Sequence, residues 1–173
     1  MMRIPALALA LTLGACTTSQ DMGRENVVLI EPDQGQMLLA QCSRPSAPND
    51  GEFFTPSAGD ITALETDLGS VLQSERSAYL KPGDPAGAFD WPLDPSSYVR
   101  QYVGYESNGR RMIYGNFLPG STVSGPSRPA VVCDGGPQFF GVEYDVAARQ
   151  VVRVAFNGGL AGPFYQPILR PLD

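Results

Sequence analysis

Asn108-Gly109 sits between two runs, "SYVRQYVGYES" and "RRMIYGNFLP", that are rich in aromatic and β-branched residues. An Asn-Gly pair between such runs predicts a two-residue type I′ turn, because both central positions of that turn need positive φ. Once the turn is placed, the register follows. Tyr105 falls opposite Met112, Val103 opposite Tyr114 and Tyr102 opposite Gly115. One face of the hairpin then carries Val99, Val103, Tyr105, Met112 and Tyr114; the other carries Tyr98, Arg100, Tyr102, Ile113 and Phe117. Both faces are partly apolar, so alternation alone does not say which of them meets a helix.

A helix is the other clear element. Ile61, Leu64, Leu68, Val71 and Leu72 follow helical spacing and form one stripe. Asp60 is placed to cap it, and the opposite side, with Thr62, Glu65, Thr66, Ser70 and Gln73, is polar. "QFFGVEYD" and "VVRVAFNG" alternate across "VAARQ" and read as a second hairpin, with "PAVVC" as a further short strand before it. "VVLI" at 27–30 reads as a first strand or a piece packed under the sheet, and "QGQMLLAQC" as a short helix ending near Cys42. The tail "GLAGPFYQPILRPLD" is broken by proline and is expected to pack Phe164, Ile168 or Leu169 against a sheet edge. The expected class is α+β: one main helix on an antiparallel sheet of about four strands. That order resembles the cystatin arrangement, and "QYVGY" shares Gln101 and Val103 with the Gln-x-Val-x-Gly signature of cystatins. Tyr105 stands where the signature has glycine, and the stretch lies in a strand rather than at a hairpin tip. The resemblance therefore implies topology and not inhibition.

The N-terminus gives an address. "MMRIPALALALTLGAC" places Arg3 before an apolar run, Ile4 to Leu13, that is too short to span a bilayer and has the layout of an export signal. Leu13-Gly14-Ala15-Cys16 resembles the lipobox of bacterial lipoproteins, which implies cleavage before Cys16 and acylation, palmitate included, of that residue. The plainer reading is a secretory signal ending near Ala15, with Cys16 incidental; the cysteine's position at the expected cut favours the lipobox. Thr17 follows, not the aspartate that retains such proteins in the inner membrane, so the resemblance implies a lipid anchor in the outer membrane facing the periplasm. The expected organisation is a signal peptide at 1–15, the acylated Cys16 with a polar tether at 16–26, and one periplasmic domain at 27–173. No other stretch is apolar for long enough to cross a membrane.

With Arg3 removed, 11 basic residues face 18 acidic ones, a net charge of −7. A chain so charged is not drawn to nucleic acid; a basic protein partner in the cell envelope suits it. Acylation of Cys16 leaves Cys42 and Cys133, which an oxidising compartment is expected to join. The rival reading makes Cys133 a nucleophile beside Asp134. A thiolate needs a base or a cation nearby, and the chain has no histidine. That absence also removes Ser-His-Asp catalysis and imidazole metal sites. Asp84, Asp90 and Asp94 lack the alternating pattern of a calcium loop, Lys81 is the only lysine, and no cofactor motif is present.

What remains is carboxylate chemistry or binding. Glu143, with Asp145 or Asp134, is the catalytic candidate for a wall hydrolase, although i, i+2 carboxylates point in parallel instead of across a cleft. Tyr98, Arg100, Tyr102, Trp91 and Glu143 are the candidate binding surface, since aromatic residues and arginine dominate interface hot spots. More often such tyrosines simply pave a half-buried sheet. Three classes of function stay open: a non-catalytic binding lipoprotein, an inhibitor or immunity protein for a basic wall-active enzyme, and a carboxylate-based hydrolase.

Overall fold

A computed structural model of the chain describes residues 26–45, 47–79, 94–120, 128–158 and 168–169. The expected signal peptide, Cys16, the tether up to residue 25, Asp84, Phe89, Asp90, Trp91 and Phe164 lie outside the described residues.

The hairpin at Asn108-Gly109 organises the sheet. Strands β3 (Tyr98–Ser107) and β4 (Arg110–Pro119) pair over their full length, with Tyr105 opposite Met112, Val103 opposite Tyr114 and Tyr102 opposite Gly115. Asn108 and Gly109 have φ of 52° and 71°, as the I′ turn requires. β5 (Phe140–Asp145) and β6 (Gln150–Phe156) form the second hairpin, and the register between them slips after Glu143. Asp145 ties that turn by accepting the Ala148 N–H at 2.7 Å.

The class is α+β, but the sheet is larger and less regular than four antiparallel strands. β1 (Val27–Leu29) joins β3 in parallel, and β7 (Ile168–Leu169) pairs with β6, so the order is β1-β3-β4-β5-β6-β7. The two-residue β2 (Phe53–Phe54) also pairs with β3. A second correction concerns the helices. α2 (Ala58–Tyr79) covers one sheet face, and α1 (Gly35–Leu39) sits in the core of the other, so the layer is covered on both sides. The α2 cap is Ser57 and not Asp60. Its hydroxyl accepts the Asp60 N–H at 3.1 Å and donates to the Asp60 carboxylate at 2.6 Å, which places Asp60 in the first turn as the partner of the cap.

The face α2 meets is the one with Tyr98, Tyr102, Ile113 and Phe117, joined by Phe140, Val142, Val154 and Phe156. Ile61, Leu64, Leu68, Val71 and Leu72 lie against it, none more than 2 % exposed. Aromatic rings fill the centre: Phe117 stacks on Phe140 at 4.6 Å, and Tyr98 meets Phe140 edge-on at 5.1 Å. Such pairs add about 0.5–1.5 kcal/mol each beyond the area they bury. The opposite face holds Val103, Tyr105, Met112 and Tyr114 under Ile30, Leu38 and Leu39.

"PAVVC" is not a strand. Residues 128–134 run irregularly across the outer face, with Ala130 and Val132 packed on Val99, Leu118 and Phe139 while Val131 points out. Their side chains alternate as a strand's would, yet they join no backbone ladder of the sheet.

Phe117 stands at the middle of the aromatic cluster and is fully buried. Phe117→Ala is expected to destabilise the fold by about 3–5 kcal/mol through lost transfer energy and a cavity. Urea unfolding read by circular dichroism would show a lower midpoint at unchanged slope; a loss below about 1 kcal/mol would contradict the aromatic centre as the main core.

Candidate functional site

The proposed binding surface does not assemble as one surface. Tyr98, Arg100 and Tyr102 are at most 2 % exposed and lie beneath α2. Arg100 and the Tyr102 hydroxyl each donate to the Glu65 carboxylate at 2.9 Å, which ties β3 to the helix above it. The reason is patterning: a helix with a five-residue apolar stripe needs a broad apolar face, and the tyrosines provide it. Glu143 alternates to the other side of the sheet, and Trp91 lies outside the described residues. Cys42 and Cys133 are joined, with Cα atoms 5.0 Å apart across a sequence separation of 91.

The polar side chains that do converge are on the outer face. Gln101 and Asn116 pair across β3 and β4, Asn157 follows β6, and Arg44 reaches over them from the segment after α1. Arg44 is 6 % exposed. It donates to the Tyr114 hydroxyl at 3.1 Å, to the Asn157 carbonyl oxygen at 2.6 Å and to that of Asn116. Each of these three acceptors is neutral. Gly141 makes the approach possible: a Cβ there would lie 2.5 Å from the Tyr114 hydroxyl and 2.8 Å from the Arg44 Nε.

The amides also hold the 128–134 segment. Gln101 donates to the Arg128 carbonyl at 2.6 Å and accepts the Ala130 N–H at 2.9 Å. Asn116 and Gln41 both donate to the Ala130 carbonyl, at 2.9 Å and 3.1 Å. Asn157 donates to the Val132 and Asp134 carbonyls at 2.8 Å and 2.9 Å. Buried backbone groups need partners, and here side-chain amides stand in for a neighbouring strand.

Along the same face lies Glu143, 8 % exposed. Arg153 donates to it at 2.8 Å and the Tyr105 hydroxyl at 3.3 Å. Burial pushes the Glu143 carboxyl above its ordinary value and outweighs the opposing pull of Arg153 and the two hydrogen bonds. Burial likewise raises the Tyr105 and Tyr114 hydroxyls, and the Glu143 charge adds to both. Asp145 is paired with Arg110 at 2.6 Å and Asp134 is exposed at a turn, so the three acids considered for hydrolysis do not close on a common centre. Glu143 and Asp145 stand side by side, about 7 Å apart along one strand. Among the described residues no group of three or more His, Cys, Asp or Glu is placed to hold a metal ion. A shallow open groove of 380 Å³ lies elsewhere, along the polar side of α2 between Thr62, Thr66, Ser70 and Arg149. The three hydroxyls bordering it are turned to helix carbonyls four residues back.

Sequence reasoning passed over Arg44, Asn116 and Asn157 and singled out Gln101 only for the cystatin signature. The available signal was an amide in an inward position of an otherwise apolar strand face: Gln101 between Val99 and Val103, Asn116 between Tyr114 and Leu118.

Because the folded carboxyl of Glu143 titrates above its ordinary value of 4.5, its contribution to stability is present below that pH and is lost as pH rises through the folded value. Arg153→Met leaves a buried, uncompensated carboxylate. It is expected to cost about 3 kcal/mol near neutral pH, with the deficit shrinking as the solution is acidified and Glu143 protonates. Adding Glu143→Gln to that variant should recover most of the loss at neutral pH. Urea melts of the two variants from about pH 4 to about pH 7 check this; a deficit independent of pH would contradict it.

No family model matches this chain, and neither the curated proteins nor the solved structures compared with it give a match.

Proposed function

We propose that this protein is a lipoprotein anchored in the outer membrane and facing the periplasm, acting by binding within the cell envelope and not by catalysis. The observation that carries the address is Leu13-Gly14-Ala15-Cys16 after a short apolar run. The Cys42–Cys133 bond supports it, since such bonds form and persist in oxidising compartments. Against catalysis weighs the use already made of the acids. Glu143 is held by Arg153 and Tyr105, and Asp145 by Arg110 and the Ala148 N–H. A group committed in this way is a poor general acid or base, because proton transfer would first have to break its pairing.

The finer fold description is cystatin-like: α2 lying across the antiparallel strands β3 to β6. It brings no inhibitory role with it, because Gln101 and Val103 are fully buried in β3. The acidic balance supports a basic protein as the partner.

The address predicts that the wild-type chain fractionates with the outer membrane and carries an acylated N-terminal Cys16, whereas Cys16→Ser is released in soluble form. Fractionation with intact-mass measurement decides this; a soluble wild-type protein cut at another position would sink the anchor. For the mode of action, the purified protein is expected not to clear peptidoglycan. Clearing that is abolished by Glu143→Gln would replace binding with hydrolysis.

A further inference from the structure

The disulfide occupies an unusual place. Cys42 and Cys133 are both exposed, while the groups next to Cys42 in sequence, Gln41, Ser43 and Arg44, are buried. Neither half of the bond belongs to the sheet: one lies in the turn after α1, the other in the irregular 128–134 segment. The sheet itself is held by the ladders of β3 to β6 and by the α2 core, to which neither half contributes. Residues 128–134 are kept in place by side-chain amides and by the disulfide. They cover an apolar patch of Val99, Leu118 and Phe139.

We propose that the Cys42–Cys133 bond is a redox latch, opened in the folded protein by a dithiol reductant. Opening frees 128–134 and uncovers Val99, Leu118, Phe139 and the Gln101–Asn116 amides while the sheet and α2 stay folded. One thiolate of the dithiol attacks an exposed sulfur, and the other protein sulfur leaves and takes a proton. The reductant's second thiol then resolves the mixed disulfide. The protein gains two electrons and two protons, and the dithiol becomes a disulfide. Exposed disulfides are the labile ones, whereas structural bonds in secreted domains resist reduction. Local opening follows from the division of contacts: what the bond secures is separable from what the ladders secure. Arg44 adds to this, because a buried guanidinium held by neutral acceptors loses little by returning to water.

The latch is independent of the lipid anchor, and its test uses the full chain carrying Cys16→Ser, so that only two sulfurs titrate. The folded protein is treated with dithiothreitol without denaturant. Alkylation is followed by mass, amide exchange by nuclear magnetic resonance, and secondary structure by circular dichroism. The expected result is alkylation at both Cys42 and Cys133, with exchange at Ala130 and Gly158, whose N–H groups bond Gln101 and Ser43, rising by about tenfold or more. Protection of the β3 to β6 amides should be unchanged, and the reduced protein should gain binding of a hydrophobic dye. A double Cys42→Ser, Cys133→Ser variant should show the same local exchange in a folded sheet. Three results would overturn the latch: a bond that resists reduction until denaturant is added, a reduced chain that keeps Ala130 protected, or loss of sheet protection in the reduced chain or the double variant. The last would make the bond a global staple.

Discussion

Strands β3 and β4 are buried on both faces for most of their length, and the rest of the structure answers to that constraint. A sheet covered on one side alternates apolar with polar residues, but here Val99, Val103 and Tyr105 alternate with Tyr98 and Tyr102, and both sets are inside. Two covers are therefore needed. α2 supplies one, with a stripe of aliphatic residues on an aromatic floor. The other comes from α1 and from segments with no regular structure, and irregular backbone placed over a sheet brings carbonyls and N–H groups that cannot reach water.

Gln101, Asn116, Asn157 and Gln41 resolve that difficulty. An amide side chain offers a donor and an acceptor in one plane, as a peptide unit does, so it serves a passing segment in the way a neighbouring strand would. Three of them project from sheet positions or the end of β6, and the carbonyls of Arg128, Ala130, Val132 and Asp134 all end on them. The arrangement demands accurate placement, since an unpaired buried amide costs about 1–3 kcal/mol. The covalent bond between Cys42 and Cys133 fixes the two covering segments to one another and restricts the ways in which the network can be misassembled.

This division explains what the sequence discloses. The β3–β4 register was legible because Asn108-Gly109 admits essentially one turn, and every pairing then follows from counting. The α2 stripe was legible from helical spacing alone. The sheet face that α2 selects was not, since double burial erases the polar-apolar contrast that would distinguish the two. Tyr98, Arg100 and Tyr102 admit two readings, gripping surface or sheet paving, for the same reason: aromatic and cationic residues are ambiguous between interface and core until the covering layer is known. The loop capping the outer face reads as a strand from sequence because residues 129–133 form an apolar run. What hydrogen-bonds Ala130 lies 29 residues earlier in the chain, at Gln101, and what holds Val132 lies 25 residues later, at Asn157; no local pattern reveals either. Glu143 attracted a catalytic reading as an acid in a strand; its partners, Arg153 and Tyr105, are brought to it by the hairpins.

The internal placement of the arginines also sets what the exterior presents. Arg100 is neutralised under α2 by Glu65, and Arg153 on the outer face by Glu143, so these pairs cancel within the fold. Arg44 is buried without an acidic partner among its three acceptors. Asp145 is buried as well, while its partner Arg110 is partly exposed. Among the described residues the buried charges therefore balance, Arg44 and Arg100 against Glu143 and Asp145. Salt screens a buried pair less than an exposed one, so the Arg100–Glu65 and Arg153–Glu143 contacts persist where surface pairs fade. The guanidinium of Arg44 thus organises the outer cover through neutral acceptors, while the ion pairs tie β3 to α2 and β5 to β6.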